Sequence, residues 1–193
     1  MQASLALPRD DDRRNAQAEA ALVRQAREDP AFFTPLYERY RDRIYWYLRA
    51  RVSTDEDAAD LTQQVFLQAL ERLHQYQGRG AFAAWLFSIA RHAAVNSHRR
   101  PRSVEWDYLP PAHQAMETDP TEAEVLQRER AVRITQLLAA LPLQKRELLV
   151  LRFVSDLTIP DIAAVLGKSP EATRKELRRT LHTLQERYDD PTI

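Results

Sequence analysis

The sequence predicts an all-α protein made of two small helical bundles joined by a flexible linker. Three observations carry this prediction. Only 3 of the 193 residues are glycine, too few for a turn-rich β architecture. Apolar residues recur at i, i+3 and i+4 along most of the chain, and no stretch alternates with the period of a strand. That periodicity lapses over residues 101–120, which contain four prolines.

The first bundle is expected over residues 18–100, after a flexible N-terminal tail at 1–17. Its first helix, "AEAALVRQARED", stops at Pro30, which favours an extended residue before it. In "FFTPLYERYRDRIYWYLRARV", Phe33, Leu36, Tyr37, Tyr40, Ile44, Tyr47, Leu48 and Val52 form an inward stripe. Ser53 or Thr54 caps a third helix whose first turn is acidic, matching the positive end of the helix dipole. The glycine-containing break "GRG" separates it from a fourth helix, "AFAAWLFSIARHAAVNSHRR", which Pro101 ends. Here Phe82, Trp85, Leu86, Ile89, Ala90 and Ala93 face inward.

Residues 101–120 carry one basic and four acidic side chains and read as an extended, acidic, proline-rich linker. Thr121 caps a helix that runs to Pro142, and "LQKRELLVLRFVSD" supplies the next. The second bundle is expected over 121–188, with a short tail at 189–193. Its last two helices form a helix-turn-helix. Thr158 caps an apolar helix that ends at Gly167, and Ser169 caps the next, with Pro170 at its first position. Thr173, Leu177, Leu181 and Leu184 turn inward, leaving Arg174, Lys175, Arg178 and Arg179 outside. Such a helix suits a major groove, with its N-terminal residues at base edges and its arginines at phosphates.

Composition excludes several functions. Basic and acidic residues both total 28, so a hold on nucleic acid must come from local patches. The absence of cysteine removes disulfides, thiolate catalysis and Cys-zinc sites. The five histidines, His74, His92, His98, His113 and His182, show no metal-ligand spacing with acids. No glycine loop is built to cradle phosphate. Neither an enzyme nor a bound cofactor is expected. No apolar run is long enough to span a bilayer, and "MQASLALPRDDDRR" lacks the pattern of a signal peptide. The expectation is a cytoplasmic protein without membrane insertion.

Two surfaces stand out. On the third helix Glu56, Asp57, Asp60, Gln63, Gln64, Gln68 and Glu71 line one half, with Leu67 in their midst. An acidic, amide-rich face with an exposed leucine suits protein docking as well as it suits plain solvation. On the fourth helix Arg91, His92, Asn96, His98, Arg99 and Arg100 face outward or extend the end. With the "QGRGAF" loop they could hold a splayed base and its phosphates.

The segments "DAADLTQQVFLQAL", "FAAWLFSIARHAAVN", "LPLQKRELLVLRFVSDLTIPDIAAVLGKS" and "LRRTLHTL", in this order and spacing, resemble the extracytoplasmic-function (ECF) sigma factors of the bacterial sigma-70 family. The resemblance covers residues 18–100 and 121–188. It implies a region 2-like domain that docks on the β′ clamp coiled coil of core RNA polymerase through Asp57, Asp60, Gln63, Gln64 and Leu67. It implies −10 contacts from Arg79, His92, Asn96, Arg99 and Arg100, with the loop 75–81 taking a flipped base. It implies a region 4-like domain contacting the β flap and reading the −35 element through Lys168, Ser169, Glu171, Arg174, Lys175, Arg178 and Arg179. The linker corresponds to the segment threaded through the polymerase. An anti-sigma factor is the family's common regulator.

The chain departs from the family pattern in places. Ala59 and Gln64 replace glutamates, so the docking face is less negative. His92 stands where asparagine is common, and Thr173 replaces an apolar packing residue. The missing acids suggest a switch: a Ser/Thr kinase adding about −1.5 to −2 charges at Ser53, Thr54 or Thr62 would restore them. A stand-alone helix-turn-helix regulator and a pure interaction protein are the competing readings.

Overall fold

The computed structural model describes residues 10–78, 81–97 and 122–189. Among them the chain forms eight α-helices and no strand.

Four helices make the first bundle: α1 (Asp10–Glu28), α2 (Thr34–Arg49), α3 (Asp55–Arg72) and α4 (Phe82–Ser97). Helix α1 begins inside the stretch expected to be a tail. Asp29 ends the α1 segment by capping a short 3₁₀ turn, accepting a hydrogen bond from the Ala31 amide at 2.9 Å. Glu19 ties α1 to α2: it accepts a hydrogen bond from the Tyr40 hydroxyl and pairs with Arg39 at 3.8 Å. Leu36, Ile44, Tyr47 and Leu48 of α2 meet Val65 and Ala69 of α3 and Leu86 and Phe87 of α4 in a fully buried core. Edge-to-face ring contacts, Tyr47–Phe87 at 5.3 Å and Tyr37–Phe66 at 4.8 Å, set the helix spacing.

The second bundle contains α5 (Glu122–Ala139), α6 (Leu143–Leu149), α7 (Ile159–Leu166) and α8 (Pro170–Asp189). The helix expected over 143–156 does not stay α-helical. After α6 it widens into a π-helical turn, Val150–Val154, closed by the Ser155 amide on the Val150 carbonyl at 2.9 Å. The wider turn lets four consecutive apolar residues, Leu148 to Leu151, all reach the core. The inward stripe of α8 also differs from expectation. Thr173, Leu177 and Thr180 are buried, whereas Leu181 is 39% exposed. The seam steps 4, 3, 4 from Thr173 to Leu184, so position 180 faces the core. Thr173 satisfies its buried hydroxyl by donating to the Ser169 carbonyl at 3.0 Å.

The two bundles pack directly on each other. Helix α4 lies against α7, and α2 meets the π-helical turn. Packing on a second side explains why Ala83, Ala84 and Ala94 are buried along with the expected stripe of α4. Arg43 of α2 donates to the Ser155 carbonyl (2.9 Å from Nε) and to the Asp156 carbonyl (3.2 Å). None of the helices in the described residues is long and apolar enough to cross a membrane.

Candidate protein and nucleic-acid interfaces

Helix α3 presents the acidic face. Its N-terminus is set by Thr54, whose side-chain oxygen accepts a hydrogen bond from the Asp57 amide at 3.0 Å. Asp55 leaves the face to bind Arg49 at 2.6 Å, and it also accepts from the Tyr45 hydroxyl at 3.2 Å. The hydrogen bond from Arg49 holds the Asp55 carboxyl below its ordinary range. Asp60, Gln63, Gln64 and Leu67 are exposed and Asp57 is half-buried. Positions 57, 60, 64 and 67 follow one stripe, and Gln63 lies beside it one turn from Asp60 and Leu67, so the five predicted docking residues share a surface. Leu67, 62% exposed, borders an apolar groove of about 390 Å³ floored by Phe33, Tyr37 and Phe66. Phe32 is exposed nearby in sequence. Sequence reasoning missed this groove because Phe33, Tyr37 and Phe66 read only as inward-facing residues.

The three phosphoacceptor positions separate. Thr62 is 5% exposed and donates its hydroxyl to the Ala58 carbonyl at 2.7 Å. It sits one turn after buried Ala58 and faces the core, so the expectation of a phosphoacceptor there fails. Thr54 is exposed and Ser53 half-buried.

On α4, His92 and Asn96 are exposed one turn apart, with Val95 exposed beside them. Arg91 turns toward the second bundle and pairs with Glu147 at 3.2 Å. Arg79, Arg99 and Arg100 lie outside the described residues, as does the linker 101–120. In the described part of the loop, Tyr76 is buried against Phe82 and Trp85, and Gly78 takes a left-handed φ of 70°.

The helix-turn-helix forms as its local chemistry dictates. Thr158 and Asp161 make a reciprocal capping box, each side chain accepting from the other's amide at 3.3 Å. Gly167, at φ 65°, ends α7, and the Lys168 amide closes back on the Ala163 carbonyl at 2.9 Å. Ser169 caps α8 through the Ala172 amide at 3.1 Å. Lys168, Ser169, Glu171, Arg174, Lys175, Arg178 and Arg179 are all exposed on or just before α8. Lys168 is held by Glu176 at 2.5 Å. A second apolar groove, about 300 Å³, lies between α5 and α8, lined by Ile134, Leu138, Leu184 and Tyr188 among others.

Residues 36–104 match the family model for sigma-70 region 2, and residues 131–184 match that for sigma-70 region 4. Over 157 residues the chain is 34% identical to the ECF RNA polymerase sigma factor SigD of Mycobacterium tuberculosis, spanning 77% of this chain and 73% of that relative. The chain belongs to the ECF sigma factor family. As a sigma factor it binds core RNA polymerase and directs promoter recognition and transcription initiation, and the stand-alone regulator reading gives way.

The fold of this sigma factor is that of two solved structures. One is CnrH in complex with the cytosolic domain of CnrY (TM-score 0.66, 23% identity, 91% of this chain and 99% of that one). The other is the sigma factor RpoE with the anti-sigma factor NepR from Bartonella quintana (TM-score 0.60, 18% identity, 80% and 94%). In the sigma factor, the region 2 match runs from the first turn of α2 through α4, and the region 4 match runs from the second half of α5 into α8. The acidic α3 face and the helix-turn-helix thus fall one in each matched region.

Proposed function

We propose that this sigma factor docks on the β′ clamp coiled coil through Asp57, Asp60, Gln63, Gln64 and Leu67. It opens the −10 element with His92 and Asn96, joined by Arg79, Arg99 and Arg100, and reads the −35 element with Lys168 to Arg179 on and before α8. The observation that carries this reading is the pairing, in one chain, of an exposed acid-amide-leucine stripe on α3 with an exposed basic face on a capped recognition helix. The functional units are a region 2-like domain at 18–100 and a region 4-like domain at 121–188, with 101–120 threaded through polymerase between them. The β flap seats on the apolar α5–α8 groove. The protein works in the cytoplasm by binding rather than by catalysis.

Affinity comes from divided labour. Polymerase fixes two weak DNA readers at a set separation, and the tether supplies effective concentration. An anti-sigma factor is the expected inhibitor, in keeping with the NepR complex of RpoE. A Ser/Thr kinase acting at Thr54 or Ser53 would strengthen the docking face, where Gln64 and Ala59 leave it short of charge.

The test is run-off transcription with purified core polymerase and unphosphorylated protein on a promoter library. Discrete start sites that vanish in Asp60→Ala are expected. Absence of both transcripts and core binding would overturn the proposal that the α3 face suffices.

A further inference from the structure

Glu147 belongs to α6 of the second bundle, yet three donors of the first bundle meet on its Oε1. The Tyr47 hydroxyl donates to it at 3.1 Å, Arg91 Nε at 3.2 Å, and an Arg51 terminal nitrogen lies 3.1 Å away. Arg51 is itself fixed in place. Its guanidinium stacks 3.7 Å from the centre of the Tyr47 ring, and its other terminal nitrogen donates to the Tyr47 carbonyl at 2.9 Å. The Arg51 and Glu147 side chains are only 9% and 11% exposed. Burial holds the Tyr47 phenol well above its ordinary range, so it stays a donor.

Two guanidinium groups and a phenol converging on one oxygen make a site for an oxyanion, carboxylate or phosphate alike. The three donors all come from the first bundle and need nothing from the second to stand near one another. Arg91 lies on α4 beside exposed His92, on the helix assigned to the −10 strand. On the proposed −10 reading of α4, the oxyanion available to this surface in a promoter complex is a backbone phosphate.

The same contact closes the molecule. Helix α4 packs on α7, which a three-residue turn joins to α8. Two helix-to-helix steps separate the readers by about 20 Å. Elements named for positions about 25 base pairs apart lie about 85 Å apart along DNA at ~3.4 Å per step. The packed protein cannot hold both.

We propose that Glu147 is an internal stand-in for a DNA phosphate: it occupies an anion site built by Tyr47, Arg51 and Arg91 and keeps the two bundles closed until polymerase and promoter part them. This rests on the sigma-factor reading for the identity of the anion, though not for the closure itself.

The chain has no cysteine, so labels at Glu71→Cys and Glu186→Cys are unique. Spin-label distances in the full-length protein, without polymerase, test closure. The wild type should give one short, narrow distribution, and Glu147→Gln a longer, broader one, with circular dichroism unchanged. Identical distributions would overturn closure. Should Glu147→Gln fail to fold, Arg91→Gln, a partly exposed latch donor, decides the same question.

Binding to a fork-junction promoter fragment at several salt concentrations tests the anion site. Glu147→Gln should bind several-fold more tightly than wild type. Adding Arg91→Gln should then reduce the slope of log Kd against log salt by about 0.9, one phosphate contact. An unchanged slope would overturn the phosphate assignment. If the sigma-factor reading itself were wrong, core polymerase would yield no transcripts with any variant, whatever the distances.

Discussion

Leu67 stands 62% exposed among acids and amides, and nothing in the fold of its own bundle needs it there. On the proposed docking reading, Leu67 contributes to a partner's interface rather than to stability. Leu67→Ala should leave the unfolding free energy within about 0.5 kcal/mol of wild type. It should weaken core polymerase binding about tenfold, the loss of roughly 1.4 kcal/mol of interface contact; calorimetric titration and a urea melt check the two halves. Thr62, three residues from Ala59 on the same helix, behaves in the opposite way. Its side chain is closed in the core, so Thr62→Glu should destabilise the protein by about 3 kcal/mol or more by burying an unpaired carboxylate. Denaturant unfolding would read this directly. The charge switch must therefore be tested at Thr54, where Thr54→Glu should raise polymerase affinity if added charge repairs the face. At this scale the sequence was a good guide to which α3 residues share a stripe. It did not separate Thr62 from the exposed hydroxyls, because a threonine fits a helix seam and a helix surface equally well.

The helix-turn-helix is the element that local chemistry determines most completely. Thr158, Gly167, Ser169 and Pro170 were all readable as caps or turn residues, and each does that work in the structure. Gly167→Ala meets no neighbour within 4 Å of the added Cβ, so its cost is purely the left-handed backbone at φ 65°. That cost should be about 1–2 kcal/mol in a urea melt. Thr158→Ala, which dissolves the capping box, should cost about 1 kcal/mol. On the outer face of α8, Arg178→Ala and Arg179→Ala should weaken all promoters about equally, whereas Arg174→Ala or Lys175→Ala should change −35 preference; binding to a panel of −35 variants distinguishes them. The π-helical turn was not legible. "ELLVLRFV" offers apolar residues on every side of a helix, so periodicity cannot show where the winding loosens.

At the scale of the whole molecule, arginines decide the arrangement. Arg43, Arg51 and Arg91 belong to the first bundle, and each reaches an acceptor on the second. Arg43→Ala removes donors to two carbonyls of the α6–α7 connection. It should broaden the interbundle distance without lowering affinity for core polymerase, since it leaves the α3 face untouched; the paired labels on α3 and α8 read the first effect and titration the second. Transcription should fall steeply with salt if, as proposed, both readers rely on phosphate contacts, whereas closure is held by a buried ion cluster that salt screens little.

The sequence by itself determined the all-α class, nearly every helix, both caps of the recognition motif and the set of residues on the α3 stripe. These follow from spacing within a turn or two, where a side chain's neighbours are its neighbours in the chain. Only the tertiary structure decided that the two bundles pack together, that α4 is buried on two sides, and that Glu147 lies among Tyr47, Arg51 and Arg91. Tyr47 and Glu147 are 100 residues apart and are separated by a linker without helical period. No local pattern constrains such a pair. A surface arginine and a latch arginine look alike until the partner surface arrives, because the guanidinium is satisfied by water or by a carboxylate from any part of the chain.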